Sequence, residues 1–164
     1  MSLLGKTEER ETFTVREANY HHPDNGALYT GEWRVDRKVR QGWGSLTRTN
    51  GEHYCGYFVR NKFHGKGKLT FSEEEEDGKK QFIGLFRNGK IDGSGTMTWS
   101  NGDTCKARWV QDETLSIQGV GLYTWSTGVQ ASVSTTESGM VFSDKLVFPD
   151  QDFRKEYTGD CING

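Results

Sequence analysis

The sequence predicts an all-β protein, an elongated, twisted, single-layer antiparallel meander of β-hairpin repeats. Three observations predict it. One spelling of aromatics and glycines recurs from Tyr29, Tyr54, Phe82 and Cys105, at intervals of 25, 28 and 23 residues. Glycine supplies 21 of 164 residues, nearly twice the usual share of about 7%, against two prolines. The chain is polar, yet nine Phe, six Tyr and five Trp sit at regular intervals, and disordered chains are poor in aromatics.

The clearest unit is Phe82 to Gly102. Phe82, Gly84 and Phe86 share one face of an extended strand, and Gly93, Gly95, Met97 and Trp99 alternate along a second. Asn88-Gly89 between them predicts a two-residue type I′ turn, which needs positive φ at both central residues. That turn pairs Phe86 with Ile91, Gly84 with Gly93 and Phe82 with Gly95, leaving Ile83 and Leu85 on the opposite face. The same spelling runs through Tyr54, Gly56, Phe58, Asn61, Gly65, Gly67, Leu69 and Phe71, and through Tyr29, Gly31, Trp33, Gly42, Gly44 and Leu46. It returns in Cys105, Ala107, Trp109, Gly119, Gly121, Tyr123 and Trp125, with Cys and Ala in place of Tyr and Gly. Two extra residues precede Gly42 and three precede Gly119.

These four copies resemble the MORN repeat (membrane occupation and recognition nexus). The resemblance implies a non-catalytic scaffold or adaptor that binds a protein segment in a cytoskeletal or axonemal assembly, radial-spoke heads included. The alternative it implies is a peripheral membrane module that binds anionic phosphoinositides. The arrays also occur as appendages on plant phosphoinositide kinases and one class of SET-domain methyltransferase; no such domain is spelled here.

Residues 1–12 are polar and read as a mobile tail, followed by a leading half repeat over 13–26. Repeats follow at 29–51, 54–71, 82–102 and 105–128, a degenerate repeat at 129–150 and a half repeat at 157–164. The pattern needs Trp99 and Cys105 on one face, so the links between repeats need odd-length loops, the common solution ending in a left-handed glycine. Gly26, Gly51, Gly102 and Gly128 are the candidates. The acidic insertion 73–80 is too charged for a strand and reads as a solvated hairpin loop or as a partner-specific segment. Tyr157, Gly159 and Cys161 begin a strand without a return partner, an edge on which a second copy or another protein could pair.

No catalytic, cofactor-binding or metal-binding residue emerges. Gly65-Lys66-Gly67-Lys68 lacks the order of a phosphate loop and precedes a strand, not a helix. His21, His22, His53 and His64 stand near no cysteine at zinc-ligand spacing. Cys55, Cys105 and Cys161 are an odd, widely spaced set that fits a reducing compartment. The opening MSLLGKTEERE lacks the apolar core of a signal peptide, so a cytoplasmic location is expected, on the cytoskeleton or in a cilium by the resemblance. Cys161-Ile162-Asn163-Gly164 fits a prenylation box poorly.

Two surfaces stand out. Residues 34–68 carry nine Lys and Arg against Asp36 and Glu52, and Arg37, Lys38, Arg40, Lys66 and Lys68 form a candidate basic patch. It reads as a solvated back face, a weak and salt-sensitive contact for anionic lipid, or a site for an acidic protein. Nucleic acid is not expected at a pI near 6.1 without a known nucleic-acid module. Tyr29, Trp33, Tyr54, Phe58, Phe82, Phe86, Trp99, Trp109 and Trp125 should line one face over a floor of glycines. Most are read as the core of a thin sheet. An uncovered apolar stripe also marks a groove for a helix or extended segment of a protein partner.

Overall fold

The computed structural model describes residues 15–21, 26–73, 77–137, 139–148 and 157–158. The expected tail (1–12), residues 13–14 of the leading half repeat, the centre of the acidic insertion (74–76), and Gly159 and Cys161 lie outside them. The described residues form strands and connections, with no helix among them. The strands are β1 (Val15–His21), β2 (Leu28–Arg34), β3 (Val39–Thr47), β4 (His53–Val59), β5 (Lys62–Thr70), β6 (Lys79–Arg87) and β7 (Lys90–Trp99). They continue as β8 (Thr104–Gln111), β9 (Leu115–Ile117), β10 (Gly121–Thr124), β11 (Gln130–Thr136), β12 (Gly139–Val147) and β13 (Tyr157–Thr158). All lie in one open antiparallel sheet in chain order, with β9 and β10 sharing one flank of β8. Consecutive strands pair from β1 to β9 and from β10 to β13, an order without crossovers.

Two kinds of turn alternate. Within a repeat, Arg60-Asn61 and Asn88-Gly89 are two-residue loops with φ of 47° and 69°, and 53° and 90°, the positive pair that a type I′ turn requires. The first repeat uses a four-residue loop, Val35 to Lys38, which absorbs its two extra residues. In the fourth, the three extra residues lengthen each strand by one and the loop by one. Between repeats, Gly51, Gly102 and Gly128 have φ of 86°, 91° and 88°. The Gly102 amide donates to the Trp99 carbonyl at 3.1 Å and the Trp99 amide to the Asp103 carbonyl at 2.9 Å, closing a three-residue loop with a bulge. The same pair of bonds recurs at Arg48–Glu52 and Trp125–Val129. This odd-length loop is the link the repeat requires.

The register within each hairpin differs from the expected one. Phe86 does face Ile91, but Gly84 faces Gly95 and Phe82 faces Met97. The cause is the first glycine of Gly-x-Gly. Gly93 has φ 132° and lies in a bulge that inserts two extra residues opposite Leu85. Gly42 (φ 90°), Gly65 (φ 60°) and Gly119 (φ 82°) occupy the same place in the other repeats. The second glycine then lies directly opposite the glycine of the preceding strand, as in Gly31–Gly44 and Gly56–Gly67.

That register makes the core. In each of the first three repeats a ring lies flat across the glycine pair of its own hairpin. A Cβ on Gly67 would come within 2.5 Å of the Tyr54 hydroxyl, and one on Gly95 within 2.2 Å of Phe82 Cζ. The Tyr29 hydroxyl donates to the Glu32 carbonyl at 2.6 Å and the Tyr54 hydroxyl to the Tyr57 carbonyl at 3.0 Å, so a buried polar group is satisfied at the bulge. In the fourth repeat Cys105 replaces the ring, and Ala107 replaces the first glycine.

Candidate interaction surface

The ring-bearing face is built by interlocking repeats. Tyr54 stacks on Phe63 with centroids 3.7 Å apart and meets Phe58 and Phe86 edge-on at 5.2 and 5.1 Å. Tyr29 meets Phe58 edge-on at 5.2 Å, and Phe82 meets Phe86 at 5.4 Å and Trp109 at 6.4 Å. Each edge-to-face pair contributes roughly 0.5–1.5 kcal/mol beyond its buried area. The pairs Tyr29–Phe58, Tyr54–Phe86 and Phe82–Trp109 join successive repeats, so these rings lock one hairpin to the next.

Of the nine aromatics read as a groove, Tyr29, Tyr54, Phe58, Phe82, Phe86 and Trp109 are at most 3% exposed. They are core, with no surface left to offer. Trp33, Trp99 and Trp125 are half-buried against that core. Trp99 and Trp125 flank Tyr123, at centroid distances of 5.4 and 5.0 Å, and Phe142 packs against Tyr123 and Trp125 at 5.0 and 5.3 Å. The ring face thus stays partly accessible at Trp33, Phe71 and Leu115 and at the Trp99–Trp125–Phe142 cluster.

A buried carboxylate anchors that cluster. Asp103, 5% exposed, accepts hydrogen bonds from the Tyr123 hydroxyl (2.7 Å), the Ser126 amide (2.8 Å) and the Asn101 side-chain amide (2.8 Å). Burial alone would raise its pKa, but these donors outweigh burial and hold the carboxyl below its usual range. The Tyr123 hydroxyl is pushed up by its own burial and by Asp103. The Tyr123 and Ser126 bonds tie the turn before β8 to β10 and to the turn that follows it, beside Trp99 and Trp125, while the Asn101 bond lies within the first turn.

The five residues of the candidate basic patch do not share one surface. Arg40 pairs with Trp33 on the ring face, and its guanidinium lies 5.6 Å from the Tyr29 ring centre and 5.9 Å from that of Phe58. It fills the position held by Phe63, Ile91 and Ile117 in the other repeats, each opposite the second aromatic. A cation over two ring faces there covers the end of the core. Arg37 and Lys38 sit in the exposed loop between β2 and β3, Arg37 3.8 Å from Asp36. Lys66 and Lys68 remain together, exposed on the opposite face of β5.

Beside those lysines the structure exposes residues that the repeat spelling does not single out. Trp43 on β3 is directly opposite Tyr57 on β4, and they are 54% and 38% exposed. Lys66 faces Leu85 and Lys68 faces Ile83, which are 37% and 51% exposed. The signal was present in the sequence as apolar residues at positions between the glycines and core aromatics. At the far edge, β13 pairs Tyr157 and Thr158 with Leu146 and Lys145 of β12. Among the described residues no group of three or more His, Cys, Asp and Glu stands close enough to hold a metal ion.

The MORN repeat family model matches residues 54–73, 82–104 and 117–130. The family is a non-enzymatic repeat module of protein- and membrane-interaction scaffolds. The first repeat, 29–51, is outside the matched residues, yet its Tyr29 lies over Gly31 and Gly44 as Tyr54 lies over Gly56 and Gly67. No curated protein matches the chain.

Proposed function

The chain is a MORN-repeat protein, and from that premise we propose that it is a non-catalytic scaffold that holds a protein segment against the ring-bearing face, within a cytoskeletal or axonemal assembly. The observation that carries the reading is the half-buried cluster of Trp99, Trp125 and Phe142, set on a rigid bed of buried rings and fixed by Asp103. Large aromatics held in place yet open to solvent are the usual anchors of a protein interface. The cytoskeletal or axonemal setting is what the resemblance to MORN-repeat proteins implies.

The test is capture of a partner from ciliated-cell extract by the wild-type protein, with its affinity then measured on Trp99→Ala and Trp125→Ala. Each substitution should weaken binding about tenfold or more while the circular dichroism spectrum is kept. Full-strength binding by both folded variants refutes the ring face as the site. Phe86→Ala is unsuitable here, because emptying a 3% exposed ring costs about 3–5 kcal/mol of stability and reports on the core instead.

A further inference from the structure

We propose that the face opposite the rings is a second docking surface, and that its occupant is an acidic protein segment carrying bulky apolar anchors. The argument starts from the pleat. Residues directly opposite each other in the ladder share a face, so the register assigns Trp43 and Tyr57, then Lys66 and Lys68, then Ile83 and Leu85 to one surface across β3 to β6. The result is three bands: an aromatic pair, a basic strand and an aliphatic pair.

From β3 to β8 this face exposes no other large apolar side chain among the described residues, and exposed apolar residues return outside that span, at Leu28 on β2, Leu122 on β10 and Val147 on β12. The neighbouring row across the same strands and beyond reads Thr47, His53, Thr70, Gln81, Thr98 and Thr104, all polar. Threonine supplies the β-propensity of such a position without exposing apolar area. The apolar residues of the three bands are therefore a local departure from what the sheet does one row away. A notch lies within the patch: Gly65, beside Tyr57, carries no side chain, and a Cβ there would meet only Tyr57 Cβ, at 3.8 Å.

Charge selects the occupant. Lys66 and Lys68 make no ion pair among the described residues, and exposed Lys106 extends the basic character on β8, two strands beyond β6. The carboxylates on this face at β6–β7 and β2 are half-buried: Asp92, bridged to Arg87 at 3.1 Å, and Glu32. An acidic segment gains attraction from the middle band and apolar burial from the outer two. The geometry also sets its spacing. Strands about 4.8 Å apart put the aromatic pair roughly 12 Å from Ile83 and Leu85. An extended segment rising about 3.3 Å per residue spans that in about four residues. The matching pattern is an apolar residue, Asp or Glu about two positions on, and a second apolar residue about four positions on.

The surface lies on the opposite side of the sheet from the ring-face cluster, so the two readings fail separately. The test is selection of random 12-residue peptides on the full-length protein, with affinities read by fluorescence anisotropy and the contact mapped by amide NMR shifts. Enrichment of acidic peptides with paired apolar residues is expected, with shifts at residues 43, 57, 66, 68, 83 and 85. Binding should fall at least tenfold in Trp43→Ala/Tyr57→Ala and in Lys66→Glu/Lys68→Glu, and stay unchanged in Trp99→Ala. Peptides that are neutral or basic, or shifts confined to the ring face, overturn the proposal. So does an absence of peptides that depend on these residues. Vesicles of phosphatidylserine and phosphatidylcholine form the remaining arm: binding to them through Trp43 and Lys66, with no peptide selected, makes the surface a membrane contact and also refutes the proposal.

Discussion

A double substitution tests how the core is built. In the third repeat the Phe82 ring lies over Gly84, where a Cβ would fall 2.5 Å from Phe82 Cζ and 2.6 Å from the Gly95 Cα. The fourth repeat holds Cys105 and Ala107 at the equivalent positions, and a Cβ added at the neighbouring Gly121 would come within 2.7 Å of the Ala107 Cβ, so that glycine leaves the room the Ala107 methyl takes. The sequence has therefore already exchanged both members together. Phe82→Cys empties a site with 0% exposure and should cost about 3–5 kcal/mol. Gly84→Ala overpacks the ring and should cost about 1–3 kcal/mol. Independent effects would sum to roughly 4–8 kcal/mol. Once the ring is gone, the added methyl loses its contact with Phe82 Cζ and fills part of the cavity, while Gly95 Cα at 2.6 Å and the Ser94 carbonyl at 2.7 Å still press on it. Relief of the ring contact alone should make the double variant cost about 1–2 kcal/mol less than the sum. Urea unfolding followed by circular dichroism closes the cycle. Additivity within about 0.5 kcal/mol would falsify the packing of ring on glycine.

Two further outcomes follow from buried groups. Asp103 has its folded pKa below the unfolded value, so its stabilisation is complete above about pH 4 and is lost as pH falls through the folded value. Wild-type melting temperature should therefore drop through that acid window, and Asp103→Asn should flatten the drop; an unchanged slope refutes the role. Burial pushes the Cys105 thiol up to about 11 while Cys55 is exposed, so in a Cys161→Ser background one thiol should react with a maleimide at neutral pH and the second only after unfolding. Mass spectrometry that finds Cys105 modified in the native protein contradicts its burial.

Much of this fold is legible because its local rules are strict. Asn88-Gly89 can satisfy a type I′ turn, and an odd loop ending in Gly102 is the way to keep Trp99 and Cys105 on one face. The hairpin register was not legible from alternation. Gly93 and Gly95 look equivalent in a period-two pattern, and only the positive φ of Gly93 removes it from the ladder and moves Gly84 onto Gly95. Burial was legible in kind but not in degree. Alternation places nine aromatics on one face, but the interlocking of Tyr54 with Phe63 and Phe86 decides which are sealed. By charge alone Arg40 belongs to a basic patch, whereas its place opposite Trp33 gives it the role of an apolar neighbour.

The opposite face was least legible, for a reason that bears on function. Folding fixes the ring, glycine and turn positions of each repeat and leaves those between them free. The residue inside Gly-x-Gly is Trp43, Lys66, Ser94 and Val120 in successive repeats, and each is exposed. The residue before the second aromatic is Glu32, Tyr57, Leu85 and Arg108. No common packing demand explains such a series, because these side chains meet solvent and not the ring core. A scaffold of near-identical hairpins can distinguish one stretch of its length from another only through positions of this kind. Trp43, Tyr57, Ile83 and Leu85 gather at such positions around Lys66 and Lys68, so a partner that reads this chain and not merely its repeat should be recognised there.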